Sequence, residues 1–464
     1  MKHALPFLSV PLLASCVAGP NYHVPRTAVA ERPDAAAPFL GQNGAVVSHD
    51  ELPPNWWRLY GDPRLDSYVE EALAANTDLR AAEANLRRAT AIVREAEASR
   101  TVRISVSGQA LGSRVAGPTG DLPAPLSYSL GSDFSYPLDL AGSIHRGIEA
   151  SNAQAEATLA ARDQVRVVVA AVVTRSYARV CAANDTLAAV RHVVEIQQST
   201  LNVAIRLARG GLGTQADVER ARAAAYASDA VIPEVAADRQ AALLGLAALM
   251  GRVPSDYPRE AETCSAVPSI DRPIPVGDGA TLIRRRPDIR MAERLLASAT
   301  ATIGIEEAEL YPKVSIGGSV GTAGPISRLL TPSTFGVSFG PLISWSFPNR
   351  KVVRARIAQA GADADAAFAN FDGSVLLALQ QTETALSAYA RARDRLKDLE
   401  LAAEAAGKAS RDAEKLQRFG HSPLLDVLNA QASYAGAQTS LAAARANLVD
   451  RQIDLFLALG GGWE

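Results

Sequence analysis

The chain has 464 residues, a formal net charge of −2, 48% hydrophobic residues and only 5% aromatic ones. So balanced a charge offers no basic face for a nucleic-acid partner, and no apolar run reaches the roughly 18 residues of a transmembrane helix. The six histidines do not cluster and the three cysteines lack any C-x-x-C spacing, so neither a metal nor another cofactor is expected.

The first stretch, "MKHALPFLSVPLLASC", sets Lys2 before a short apolar run and reads as a secretory signal over residues 1–15. Leu13-Ala14-Ser15-Cys16 resembles a bacterial lipobox, in which the cysteine is acylated and becomes the new N-terminus. Val17 rather than Asp follows, as in lipoproteins sent to the outer membrane. The expectation is a lipid anchor at Cys16, and more than one acyl chain is needed for a stable one. Residues 16–62 then form an N-terminal extended segment.

From residue 63 the chain repeats itself. "TDLRAAEANLRRATAIVREAEASRTVRISVSG" (77–108) aligns without gaps on "PDIRMAERLLASATATIGIEEAELYPKVSIGG" (287–318), and "GLGTQADV" (211–218) matches "GHSPLLDV" (420–427). A unit of about 210 residues occurring twice is a duplication, not a solenoid. The copies are placed at 63–251 and 284–464, joined by a linker at 252–283.

Each copy has the same predicted order. A helix (63–100; 287–311) leads into an alternating strand (102–111; 313–322). A loop rich in Gly, Pro and Ser precedes a second strand (126–138; 334–347). A long helix (144–209; 351–418), a tight turn and a return helix (215–250; 424–459) complete helical hairpins over 144–250 and 351–459. Leu187, Val190, Val194, Leu201 and Ile205 follow coiled-coil spacing. The long helix would reach about 100 Å, more than a globule needs, although a coiled-coil rod is an alternative.

The strands define the solvent. In "LSYSLGSDFSYPL" (126–138) Leu126, Tyr128, Leu130, Phe134, Tyr136 and Leu138 alternate with Ser, Gly and Asp. "TFGVSFGPLISWSF" (334–347) repeats the pattern, and the scarce aromatic residues gather here. Strands of about 10 residues with one apolar and one polar face suit a transmembrane β-barrel; soluble hairpins on a core are the alternative. Four strands cannot close such a barrel, since about eight are needed, and an open edge in lipid strands backbone groups at several kcal/mol each. Several chains must share one barrel, and physics alone allows two, three or four.

"RGGLGT" (209–214) lacks the Lys-Ser/Thr of a phosphate loop and follows a helix, so it reads as a turn. "RRRPD" (284–288) reads as a helix start. No Ser-His-Asp set or paired-carboxylate site is evident, and no enzyme is expected.

"WWRLYGDPRLDSYVEEALAANTDLRAAEANL", "RRRPDIRMAERLLASATATIGIEEAELYP", the terminal "ALGGGWE" and "CVAGPNYHVP" after the lipobox together resemble the TolC-like outer-membrane factors, in the NodT/OprM-type lipoprotein branch of RND efflux systems. The resemblance implies a mainly α fold with transmembrane β: a homotrimer whose twelve-stranded outer-membrane barrel continues into a long periplasmic α-helical barrel. Residues 252–283 would belong to an equatorial domain. It also implies the exit duct of a tripartite RND-type pump exporting drugs or other small toxic compounds. The partners would be a periplasmic adaptor (membrane fusion) protein, an inner-membrane RND transporter and outer-membrane lipid. The localisation would be the outer membrane, lipid-anchored and extending into the periplasm. A channel for type I-like secretion, or a non-channel periplasmic coiled-coil scaffold lipoprotein, are the alternatives.

On this reading the turns Gly211-Leu212-Gly213 and Gly420-His421-Ser422 would dock the adaptor. Asp426 matches one of two acidic positions that ring the family's periplasmic entrance. Asn429 stands at the other, and Ser422 where a basic latch residue is found. Asp426 is therefore the candidate periplasmic gate, with Leu424 and Leu425 the next candidates as an apolar plug. The hairpin turns near 211, so the chain past 250 could reach the level of Cys181. A Cys181–Cys264 disulfide and two separate buried thiols are both open in an oxidising periplasm.

Overall fold

A computed structural model describes residues 17–461, apart from 42–45, 113–115, 118–119, 122–125, 271 and 348. The signal segment, Cys16 and the last residues of "ALGGGWE" lie outside the described residues. The first copy comprises α1 (Pro63–Ala75), α2 (Thr77–Ala98), β1 (Arg103–Gly112), β2 (Leu126–Leu138), α3 (Ser143–Arg209), α4 (Gln215–Asp229) and α5 (Val231–Leu249). The second comprises α6 (Gly279–Arg285), α7 (Pro287–Ala308), β3 (Lys313–Pro325), β4 (Phe335–Ser344), α8 (Arg350–Arg418) and α9 (Leu424–Ala458). Two compact units result: residues up to 25, 85–159 and 291–371 in one, and 26–84, 160–290 and 372–464 in the other.

The predicted helix over 63–100 is two helices. Asn76 leaves the helical region (φ −58°, ψ 134°), and its Oδ1 accepts the N–H of Asp78 at 2.9 Å and of Leu79 at 3.2 Å. That is an N-cap. In the second copy Arg286 occupies the same place, forced extended because Pro287 follows it. Both residues also grip the last turn of their own return helix. Asn76 Nδ2 donates to the Leu249 carbonyl at 3.0 Å, and Arg286 Nη1 to that of Ala458 at 2.7 Å. The predicted helix over 215–250 likewise divides at Ala230, because Pro233 has no N–H to offer the carbonyl four residues earlier. Along α3 the buried seam runs Leu187, Val190, Val193, Gln197, Leu201, Ala204, stepping off the heptad reading at Val193.

The four strands form one antiparallel sheet in chain order, β1-β2-β3-β4, so β2 pairs with the other copy's β3. Register sorts the faces. Ile104 lies opposite Phe134, Phe134 opposite Gly318 and Gly318 opposite Phe339, and directly opposed residues share a face. One face thus carries Ile104, Val106, Leu130, Phe134, Val320 and Val337, nearly all exposed. The other carries Ser107, Asp133, Ser319 and Ser338, with Leu111 and Leu342 as its apolar exceptions. Phe134 and Phe339 stack at 6.1 Å across Gly318. A Cβ there would stand 2.6 Å from the Phe134 ring, so only glycine lets the rings meet.

β4 ends at Ser344, short of the predicted 347, leaving Trp345 and Phe347 exposed beyond it; β3 runs on to Pro325. Tyr128 breaks the alternation, being only 8% exposed on a mostly exposed face, with Thr322 buried beside it. Neither β1 nor β4 has a further partner strand among the described residues.

Candidate functional site

The two hairpin tips are built alike. Each long helix ends in a left-handed glycine, Gly211 at φ 73° and Gly420 at φ 75°. In each, the residue after that glycine donates back five positions: Leu212 N to Leu207 O, and His421 N to Leu416 O, both 2.9 Å. This is the Schellman closure, which uses up orphan carbonyls and favours glycine because positive φ crowds a Cβ. Leu212 is 81% exposed. The second tip carries a residue missed in the sequence: Phe419, 76% exposed. An aromatic just before the tip glycine of an aromatic-poor chain was the available signal.

Past the turn the copies diverge. Thr214 and Asp217 form a reciprocal capping box on α4. Asp217 Oδ2 accepts from the Thr214 hydroxyl at 2.7 Å, and Oδ1 from Arg220 at 2.9 Å. The Thr214 hydrogen bonds, then Arg220, hold the Asp217 carboxyl below its usual range. In the second copy Pro423 replaces the threonine, with neither hydroxyl nor N–H. Asp426 instead accepts from Ser422 Oγ at 2.7 Å and stays exposed. Leu425 is exposed as well. Leu424 is placed otherwise: it packs against the core of Leu201, Ala204, Val218, Ala221, Ala225 and Leu428, which fits it to joining the hairpins rather than to plugging an opening.

Thr214→Ala is expected to remove about 1 kcal/mol of helix stability, read as faster hydrogen exchange across α4 with α9 unchanged. Because the Asp217 carboxyl is depressed in the fold, its contribution is full above the ordinary aspartate range. It is lost as pH falls through the lowered value.

Away from the tips, residues 252–283 are fastened to α3. Cys181 and Cys264 are bonded, with Cα atoms 5.1 Å apart, and both are buried. Asn184 Nδ2 beside them donates to the carbonyls of Glu262 and Cys264 at 3.0 and 2.9 Å. Val47–Ser48 pairs in parallel with Ile274–Pro275, which ties the N-terminal segment to the same belt.

In the sheet-bearing unit, Arg146 of α3 is 2% exposed. Its guanidinium donates to the carbonyls of Ala18 and Gly19, both at 3.0 Å, to Asn21 Oδ1 at 2.9 Å and to Glu149 at 2.7 Å. The Ala18 N–H donates to Ala141 O at 2.9 Å. Residues 17–21 are thereby held against the junction of β2 and α3.

The profile of the family described as outer membrane efflux protein matches residues 68–252 and 280–461. The chain belongs to that family. Nodulation protein T of Rhizobium leguminosarum bv. trifolii is 30% identical over 472 residues, spanning 100% of this chain and 97% of that protein. A solvent efflux pump outer membrane protein of Pseudomonas putida, SrpC, is 27% identical, spanning 99% of this chain and 98% of its own length. The solved structure of the outer-membrane channel OprN matches with a TM-score of 0.88 and 32% identity, covering 97% of this chain and 100% of that one. The fold is that of an outer-membrane efflux channel. In this outer membrane efflux protein each matched stretch holds one pair of long strands and one helical hairpin.

Proposed function

We propose that this efflux channel is the exit duct of a tripartite RND-type pump and passes small toxic compounds outward across the periplasm and outer membrane. The sheet carries the reading. It has an apolar face, a polar face and two edges without partner strands among the described residues. In lipid those edges would strand backbone groups at several kcal/mol each, unless β4 of one copy pairs with β1 of the next. Three copies give a twelve-stranded barrel whose polar face lines a wet lumen. The tips dock a periplasmic adaptor through Leu212 and Phe419 and their glycine turns, including His421 and Ser422. An inner-membrane transporter supplies the energy, and acyl chains on Cys16 anchor the chain.

Crosslinking in detergent is expected to give trimers, and purified protein should conduct in a planar bilayer. Monomers and dimers alone would overturn the assembly, and trimers without conductance the duct. Mass spectrometry should find Cys16 acylated as the first residue; an unmodified cysteine there, or cleavage elsewhere, would remove the anchor.

Three copies of Asp426 concentrate negative charge at the narrow end and favour cations. Asp426→Ala is expected to weaken cation selectivity, whereas Asp217→Ala, removing a bound cap, should lower stability and leave selectivity alone. Equal effects of the two on selectivity would place the constriction elsewhere.

A further inference from the structure

The exception on β2 has a use. Tyr128 stands on the apolar face, in line with Leu126, Leu130 and Phe134, yet it is buried. What covers it is the connection between β3 and β4, residues 326–334. The Leu330 N–H donates to the Tyr128 hydroxyl oxygen at 2.8 Å. That hydroxyl also meets Thr322 Oγ1 at 2.9 Å and Thr334 Oγ1 at 3.1 Å, and Thr322 bonds Thr334 at 2.8 Å. Leu330 itself sits at φ 56°, a left-handed conformation that a leucine does not choose unaided. The loop is thus held against the apolar face of the sheet, at the end opposite the helices. A loop folded across the polar face would need its latch on an odd-numbered residue of β2.

The latched loop exposes Ile326, Leu329 and Leu330. They continue the apolar surface of Leu126 and Leu130, with Arg328 among them. Exposed aliphatics contiguous with a lipid-facing wall match the acyl region of a bilayer, and an arginine in their midst can extend its head to the phosphate level.

We infer that the β3–β4 loop is a lipid-contacting collar, latched by the Tyr128 hydroxyl so that Ile326, Leu329 and Leu330 lie among the acyl chains of the outer leaflet, clear of the lumen mouth. The inference rests on the proposal that the sheet spans the membrane.

A fluorophore on an introduced cysteine tests both, in a Cys16→Ser background so that only the new thiol reacts. The protein is reconstituted in phosphatidylcholine vesicles, with and without acyl-chain nitroxide lipid, and probed with aqueous iodide. At Leu329→Cys, quenching by the nitroxide lipid is expected to exceed that by iodide several-fold. Phe339→Cys, on the apolar strand face, should behave alike. Adding Tyr128→Phe, which keeps the ring and removes the latch, should reverse the order at 329 and leave 339 unchanged. Iodide quenching at 329 with lipid quenching at 339 overturns the collar alone. Iodide quenching at both overturns the spanning sheet. Lipid quenching at 329 that survives Tyr128→Phe overturns the latch.

Discussion

Arg146→Ala is expected to free residues 17–21 from the β2–α3 junction, at a cost of about 1–3 kcal/mol in local stability. The estimate follows from what the side chain leaves behind. Two backbone carbonyls, an asparagine oxygen and a glutamate lose a donor that is itself 2% exposed. Asn21 and Glu149 keep access to water, whereas the Ala18 and Gly19 carbonyls are only partly exposed and would lose a well-placed donor. Arg146→Lys keeps the charge but not the planar fork that reaches four acceptors, so it should recover only part of the loss. Hydrogen exchange at residues 18–22, or protease cleavage near them, reads the effect directly. Protection equal to the unaltered chain in Arg146→Ala would show that the segment is held by other contacts, such as Tyr22 on Glu293 at 2.9 Å.

Removing the Cys181–Cys264 bond is expected to cost about 2–4 kcal/mol, with about 4.5 kcal/mol the chain-entropy ceiling for a closed loop this long. The cysteines are 83 residues apart, and their loop encloses the first tip. The paired Cys181→Ser and Cys264→Ser variant keeps the Asn184 hydrogen bonds, so the belt should remain docked but open more often. Thermal unfolding with and without reductant, together with proteolysis within 252–283, measures this. Unchanged melting on reduction would assign the clamp to Asn184 and the parallel strand pair instead.

How far the sequence could be read depends on how many residues a feature needs. Strand faces were legible because a period of two repeats its message at every position from Leu126 to Leu138. Tyr128 obeys that period, and its burial depends on a loop about 200 residues further on. The tip glycines were legible because a left-handed closure leaves few alternatives to glycine. The divisions at Asn76 and Ala230 were present in the letters, as an N-cap before Thr-Asp and a proline in a helical run, but the longer helical pattern masked them. Leu424 belongs to the core through partners on α3 and α4, which no local window contains. Arg146 had only its i,i+3 partner Glu149 as a local signature, because its other acceptors come from residues 18–21.

A ring of duplicated chains begins life with six equivalent tips, and such symmetry ordinarily persists only while both halves keep the same tasks. The contrast between Thr214 in one copy and Pro423 in the other breaks it at the helix cap. The first half retains a carboxylate committed to its own helix. The second half lacks that commitment, and its carboxylate accepts from Ser422 and stays exposed. Duplication thus lets one copy keep the cap that secures its own helix, while the matching position of the other can change without loosening that helix.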